Sequence, residues 1–305
     1  MTISKAIGLA AASVLAWAGA AQAGPEDKAS LTPESKLAAP AKGQIPVAFV
    51  LTNGAVMIDF AGPWEVFQDV VLPSRGASMD DQMPFHLYTV SDKKDPIRIS
   101  GGMKVVPEYT FDDAPPPKIV VIPAQGGRSP RMLEWIRQTT TGADLVMSVC
   151  AGSFVLADAG LLSGRRATTH HASYRRLSVL HPDVNVQRGV RFVEDGKLAT
   201  AGGLSSGIDL ALRVVERYFG REVARATAFD MEYQGQGWLK RDSNAVYKVA
   251  RASTSAHPLC QVCEMEVDPA TAPASVFGGK TYYFCSTDDK EQFDKAPEKW
   301  VAPLK

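Results

Sequence analysis

The stretch Asp144-Leu-Val-Met-Ser-Val-Cys150-Ala-Gly-Ser-Phe-Val-Leu-Ala-Asp158 places a thiol where it could act as a nucleophile. Leu145 to Val149 is a short apolar run, read as a fully buried strand. Beyond it the pattern changes to helical period, with Phe154, Val155, Ala159 and Leu162 on one side. Ala151 and Gly152 sit at the change, where a tight turn needs small residues. A cysteine at that point meets unpaired backbone N–H groups and the positive end of a helix dipole. The setting is expected to hold its pKa below the ordinary thiol value of ~8.5 and to present sulfur at the carboxyl edge of a sheet. The competing reading is a structural cysteine, since free thiols are among the most buried groups.

The elements that must position this thiol are read from apolar periodicity. A buried strand spans 45–52, with a turn at Asn53-Gly54. Pro63 suits a first helical turn, giving a helix that runs to about Val71. Residues 85–91 form a strand, and 97–109 a hairpin or two short strands around Gly101-Gly102. Residues 118–124 form a buried strand ending in Gln125-Gly126-Gly127, and Ser129-Pro130 caps a helix that follows. Further strands are expected at 165–170, 184–188 and within 191–201, and helices at 174–180, 208–219 and 222–233. This alternation predicts an α/β domain over 44–235, a mostly parallel sheet sandwiched by helices. Residues 236–256 are polar and read as a linker or docking segment. Residues 257–305 are a separate small module with a Gly278-Gly279 turn, an aromatic strand over 281–284 and a short helix at about 288–294. A core that small needs a staple, a metal or a neighbour to pack on.

The 305-residue length suits two domains at ~150 residues each. Hydrophobic residues make up 45% and charged residues 22%, as in an ordinary globule. Thirty-three basic residues balance 33 acidic ones, so nothing in the charge suggests a nucleic-acid partner; the expected partner, a small-molecule substrate or a metal ion, rests on the motifs instead. Lys5, the apolar run from Ala6 to Ala20 and Ala21-Gln-Ala23 read as a secretory signal peptide over 1–23, cleaved after Ala23. The run is short for a spanning helix, and no membrane span is expected after cleavage. Residues 24–43 read as a flexible leader, and the mature protein is expected to be periplasmic or secreted. Of four cysteines, Cys150 stands alone, while Cys260, Cys263 and Cys285 cluster near the C-terminus.

Four segments carry a resemblance. They are Asp59-Phe-Ala-Gly-Pro-Trp-Glu-Val-Phe67, Ser148-Val-Cys-Ala-Gly152, Ala159-Gly-Leu-Leu-Ser-Gly-Arg-Arg-Ala-Thr-Thr-His170 and Ala201-Gly-Gly-Leu-Ser-Ser-Gly-Ile-Asp209. In this order they resemble the ThiJ/PfpI superfamily, of flavodoxin-like, glutamine-amidotransferase-like fold. Within it they are closest to isonitrile hydratases and the sensor domains of AraC-type regulators. The resemblance implies that Cys150 is the elbow nucleophile and that Asp59 is the carboxylate beside it. It implies further that His170 lies near the thiol, that the N–H groups of Gly127 (with Gly126) and Ala151 form an oxyanion site, that the domain needs no cofactor, and that the protein is a homodimer. Ala151 stands where isonitrile hydratases carry a threonine and PfpI-type proteases a histidine, which argues against proteolysis. No helix-turn-helix region follows the domain. Asp59 also suits a helix N-cap, and His170 a structural histidine.

The C-terminal segments Cys260-Gln-Val-Cys263-Glu-Met-Glu-Val-Asp-Pro269, Gly279-Lys-Thr-Tyr-Tyr-Phe-Cys-Ser286 and Lys290-Glu-Gln-Phe-Asp-Lys-Ala-Pro-Glu-Lys-Trp300 resemble a YHS domain. The likeness implies heavy-metal binding. Three thiolates are soft donors suited to a Cu or Zn ion. Where many relatives carry a fourth cysteine, this chain has Asp289, a harder ligand, and His257 and Met265 are additional donors within reach in sequence. The alternative is one disulfide among Cys260, Cys263 and Cys285 with a thiol left over. Two functions follow as expectations. One is a Cys150-dependent hydratase or hydrolase acting at a small electrophilic carbon. The other is a metal-handling or redox-sensing protein without turnover.

Overall fold

The computed structural model describes residues 36–302. The signal peptide, and the leader up to residue 35, lie outside the described residues. Residues from Leu37 onward form one compact unit.

In chain order the first elements are β1 (Ile45–Val50), α1 (Met57–Gln68), α2 (Met79–Gln82), β2 (Phe85–Ser91), β3 (Ile97–Arg98), β4 (Lys104–Val105), β5 (Tyr109–Thr110) and β6 (Ile119–Ile122). There follow α3 (Pro130–Gly142), β7 (Leu145–Ser148), α4 (Ser153–Asp158), β8 (Arg166–Ala167), α5 (Tyr174–Leu180) and β9 (Asn185–Val186). The domain closes with β10 (Phe192–Asp195), β11 (Leu198–Ala201), α6 (Ser206–Phe219) and α7 (Arg221–Asp230). A seven-stranded sheet runs in the order β10-β11-β7-β6-β1-β2-β5. Its pairings are parallel except for β10 with β11. The expected mostly parallel, helix-covered sheet is therefore the architecture. Pro46, which has no N–H to give, sits in β1 one residue before the β6 ladder begins at Val47↔Ile119.

Side chains of a strand alternate between faces, and each face here finds its own helices. Val47, Phe49, Val121 and Met147 pack with Val66, Phe67, Leu210 and Val214 of α1 and α6. Ala48, Val50, Val120, Ile122 and Val146 pack with Met132, Ile136, Phe154 and Leu177 of α3, α4 and α5. Burial on both faces explains why these strands read as continuous apolar runs.

Two details correct the sequence reading. Pro63 lies inside α1 rather than at its start, and the N-cap is Val56. Asp59 is thus a first-turn residue, not the cap, and a proline four residues on leaves its carbonyl without the usual helical donor. Helix α7 ends at Asp230, short of the expected 233.

The segment 236–256 docks rather than floats. Trp238 is buried and its N–H donates to Asp209 Oδ1 at 2.9 Å, while the Arg191 N–H donates to the Arg241 carbonyl at 2.6 Å. The C-terminal module comprises the β12 (Ala274–Phe277) and β13 (Lys280–Tyr283) hairpin, α8 (Thr287–Lys295) and α9 (Pro297–Val301), the last not anticipated from sequence. Its core is Val262, Phe284, Phe293 and Trp300 around Cys260. Val179 of α5 packs against that core, so the neighbour that a core this small requires is the α/β domain.

Candidate active site and metal centre

Cys150 ends the β7 segment and opens a short 3-10 turn that leads into α4. Its φ is +57°, a left-handed conformation that costs a β-carbon-bearing residue about 1–3 kcal/mol. Three hydrogen bonds over-determine it. The Cys150 N–H donates to the Gly202 carbonyl at 2.9 Å, and its own carbonyl accepts from the hydroxyls of Thr169 at 3.0 Å and Ser153 at 3.4 Å. Gly152 is required next to it, because a β-carbon there would lie 2.2 Å from the Ile122 carbonyl oxygen. The thiol is 9% exposed, and the N–H groups of Ala151 and Leu204 are directed at its sulfur.

Asp59 faces this thiol from the first turn of α1 and is wholly buried. Its Oδ2 accepts the Ala124 N–H at 3.1 Å, whereas Oδ1 has no hydrogen-bond partner among the described residues. Burial pushes the carboxyl up to about 7, against the lowering effect of the Ala124 N–H and the thiol. Burial, followed by the charge of Asp59, pushes the Cys150 thiol up to about 12. This corrects the expected low thiol pKa. Two N–H donors and a six-residue helix do not offset desolvation beside a carboxylate.

The other expected participants are arranged differently. The Gly127 N–H donates to Thr52 Oγ1 at 3.2 Å and the Gly126 N–H to the Asn53 carbonyl at 3.1 Å, so the loop amides are taken up by the turn after β1. The donor that joins Ala151 at the sulfur is Leu204, whose φ of +49° aims its N–H inward. His170 Nδ1 accepts the Ala172 N–H at 3.3 Å, and its ring packs on His171 and against Gly203. Burial lowers its pKa, and no hydrogen bond joins it to Cys150 among the described residues. Its neighbour Thr169 is the residue that grips the elbow. Thr169 and Leu204 carried no signal in sequence beyond their place in the quoted segments.

A second group of chemically active side chains lies in the C-terminal module. The ligand atoms of Cys260, Cys263, Cys285 and Asp289 all lie within 4.8 Å of one another. Asp289 Oδ2 accepts from Cys260 Sγ and from Cys285 Sγ at 3.3 Å each, and Cys263 Sγ is 3.4 Å from Cys285 Sγ. All four cysteines are free thiols in this structure. The Cys260-x-x-Cys263 turn closes with the Glu264 N–H on the Cys260 carbonyl at 2.9 Å, with Glu264 in the left-handed region. Cys260 is held down at about 6, first by the Cys263 thiol and then by backbone N–H groups of Cys263, Cys285 and Val262. Cys263 is pushed far up, first by Cys260, and Cys285 up to about 11 by burial. Three thiols and a carboxylate this close together could hold a metal ion. The 3.3–3.4 Å ligand separations are close to the edges of a tetrahedron built on bonds of ~2.0–2.3 Å. His257 instead pairs with Glu266 at 2.7 Å and does not join the group.

Residues 46–217 match the DJ-1/PfpI family and residues 261–303 the YHS domain. The chain is 33% identical over 192 residues to an isonitrile hydratase of Pseudomonas putida, covering 61% of this chain and 78% of that protein. It is 25% identical over 205 residues to the HTH-type transcriptional regulator CdhR of Pseudomonas aeruginosa, covering 66% of this chain but 60% of the regulator. Among solved structures, a ThiJ/PfpI family protein from Pseudomonas syringae superposes with a TM-score of 0.56 at 23% identity, covering 73% of this chain and 90% of that one. The last likeness shows the fold alone.

Proposed function

This chain belongs to the DJ-1/PfpI family and ends in a YHS domain, and from that premise we propose that it hydrates a small electrophilic carbon of the isonitrile class. The observation that carries this reading is the pair of Asp59 and Cys150, an unpartnered buried carboxyl oxygen beside a neutral thiol. A thiol exposed by only 9% restricts access to small molecules.

The steps follow from which group holds the proton. Cys150 sulfur forms a bond to the terminal isonitrile carbon, and the thiol proton passes through Asp59 to that same carbon, giving a thioimidate. With its pKa at about 7, Asp59 is suited both to take and to give the proton near neutrality. The N–H groups of Ala151 and Leu204 stabilise negative charge on sulfur as the proton leaves. Water then adds to the thioimidate carbon, its proton reaching nitrogen. The carbon–sulfur bond breaks, the thiol is reprotonated, and an N-substituted formamide leaves. Formamide production from a small alkyl isonitrile tests the reading. Loss of turnover by 10²-fold or more in Cys150→Ser and in Asp59→Asn is the expected result. An unchanged rate in either variant would overturn it.

A second reading is favoured by the cluster of three thiols and Asp289, which could bind a metal ion. Zinc(II) or copper(I) suits the sulfur-rich donor set. When bound, the ion would supply structural closure of the module, and Cys260, Cys263, Cys285 and Asp289 would hold it. Metal content of the purified protein, lost in Cys263→Ser, tests it. If the chain is metal-handling without turnover, formamide production is absent while the ion is retained. Residues 1–23, read from sequence as a secretory signal peptide, support a periplasmic or secreted location, and membership of the family supports a homodimer. No helix among the described residues is long and apolar enough to cross a membrane.

A further inference from the structure

The residue that orients Asp289 comes from the other domain. Arg176, on α5 of the α/β domain, donates from Nη2 to Asp289 Oδ1 at 2.6 Å and from Nε to Gln292 Oε1 at 3.1 Å. Asp289 is 5% exposed, and its two oxygens are divided. Oδ1 is taken by the guanidinium, and Oδ2 faces the sulfurs of Cys260 and Cys285. The carboxylate therefore has one oxygen to offer. With three thiolates it brings four negative charges to one point, and Arg176 is the cation in contact with that group.

We propose that Arg176 is a positioning residue of the metal centre, holding Asp289 as a one-oxygen ligand so that the α/β domain completes the site of the C-terminal module. This rests on the metal-binding reading above. Groups that hydrogen-bond to a metal ligand fix its direction and offset its charge, and losing one costs ~10–100-fold in metal affinity. The fold supplies an internal control. Arg175, the preceding residue, donates from Nε to the Gln261 carbonyl at 2.8 Å and from Nη2 to the Trp300 carbonyl. It ties the same helix to the same module without touching a ligand side chain. Arg188 likewise grips Glu264 at 2.6 Å.

The test is zinc affinity by chelator competition, together with cobalt(II) absorption spectra, on the full chain. Arg176→Ala is expected to weaken zinc binding ~10–100-fold and to shift the cobalt ligand-field bands. Arg176→Lys, which retains a cation but not the fork, restores part of the affinity. Arg175→Ala leaves both affinity and spectrum near wild type. Wild-type affinity and spectrum in Arg176→Ala would overturn the proposal. So would an equal loss in Arg175→Ala, because docking alone would then explain the effect. A wild-type chain that takes up neither metal would overturn the metal reading itself, an outcome distinct from the other two.

Discussion

The buried carboxyl of Asp59, on the first turn of α1, faces the thiol of Cys150 at the end of the β7 segment. One Asp59 oxygen is bound to the Ala124 N–H at 3.1 Å, and the other has no hydrogen-bond partner among the described residues. Desolvation outweighs the donors around both groups and favours their neutral forms, with the carboxyl raised to about 7 and the thiol to about 12. A neutral thiol beside a neutral acid is poised to transfer protons rather than to act as a standing thiolate.

Alkylation of Cys150 therefore follows a late pH course. Its iodoacetamide rate, resolved from the other cysteines by peptide mass spectrometry, is expected to be low at pH 7 and to keep climbing, without a plateau, up to about pH 12. Asp59→Asn removes the second cause of that shift and should speed alkylation at pH 9 about tenfold per pKa unit recovered. A plateau reached below pH 9 in the wild type would contradict the geometry.

Stability carries the same signature with the opposite pH sense. The folded-state pKa of Asp59 is raised from 3.8 to about 7, so the native state binds the proton more tightly than the unfolded chain. That stabilisation is fully present below about 3.8 and is lost as pH rises through 7, a difference of up to about 4 kcal/mol. Asp59→Asn should thus be more stable than wild type at pH 8, with the gap closing toward pH 4. Urea unfolding at several pH values measures this, and a gap independent of pH would refute it.

The elbow itself is expected to tolerate little. Gly152→Ala drives a β-carbon into the Ile122 carbonyl and should cost about 3 kcal/mol or more. Thr169→Val leaves the shape but removes a buried donor to the Cys150 carbonyl, at a cost of about 1–3 kcal/mol. Thermal unfolding of both variants is the check, and near-wild-type midpoints would show that the +57° backbone is held by something else.

Metal uptake should release protons in a number set by the thiols. At pH 7.5 Cys260 is already ionised, while Cys263 and Cys285 still hold their protons. Zinc binding is then expected to release roughly two protons per ion. Calorimetric titration in buffers of different ionisation enthalpy measures that number, and a value near zero or three would contradict the assignment of Cys260 as the thiolate.

The α/β architecture was legible because its strands are buried on both faces and alternate with amphipathic helices. Ser129-Pro130 opens α3 as expected, and the 174–180 helix is α5. Pro63 misled because proline is commonest at a helix start, and here close packing of α1 on α6, with Gly62 against Ile208 and Pro63 against Gly207, carries the helix past it. The loop glycines misled because a glycine-rich loop after a strand can either offer its N–H groups to a ligand or give them to a neighbouring loop. Only the position of Thr52 and Asn53, distant in sequence, determined that they are used.

By itself the sequence determined which residues could do chemistry, and roughly where. Cys150 stands at a strand-to-helix switch, and Cys260, Cys263, Cys285 and Asp289 are spaced to meet in one small module. Both are local patterns, written in consecutive residues and short spacings. The protonation of those groups was decided by the tertiary structure alone. Burial of Asp59 against Cys150 joins α1 to the turn after β7 and raises a thiol pKa that was expected to be low. The reach of Arg176 across to Asp289 is a contact between domains. Desolvation and long-range ion pairing depend on how distant segments pack, and no local spacing encodes them.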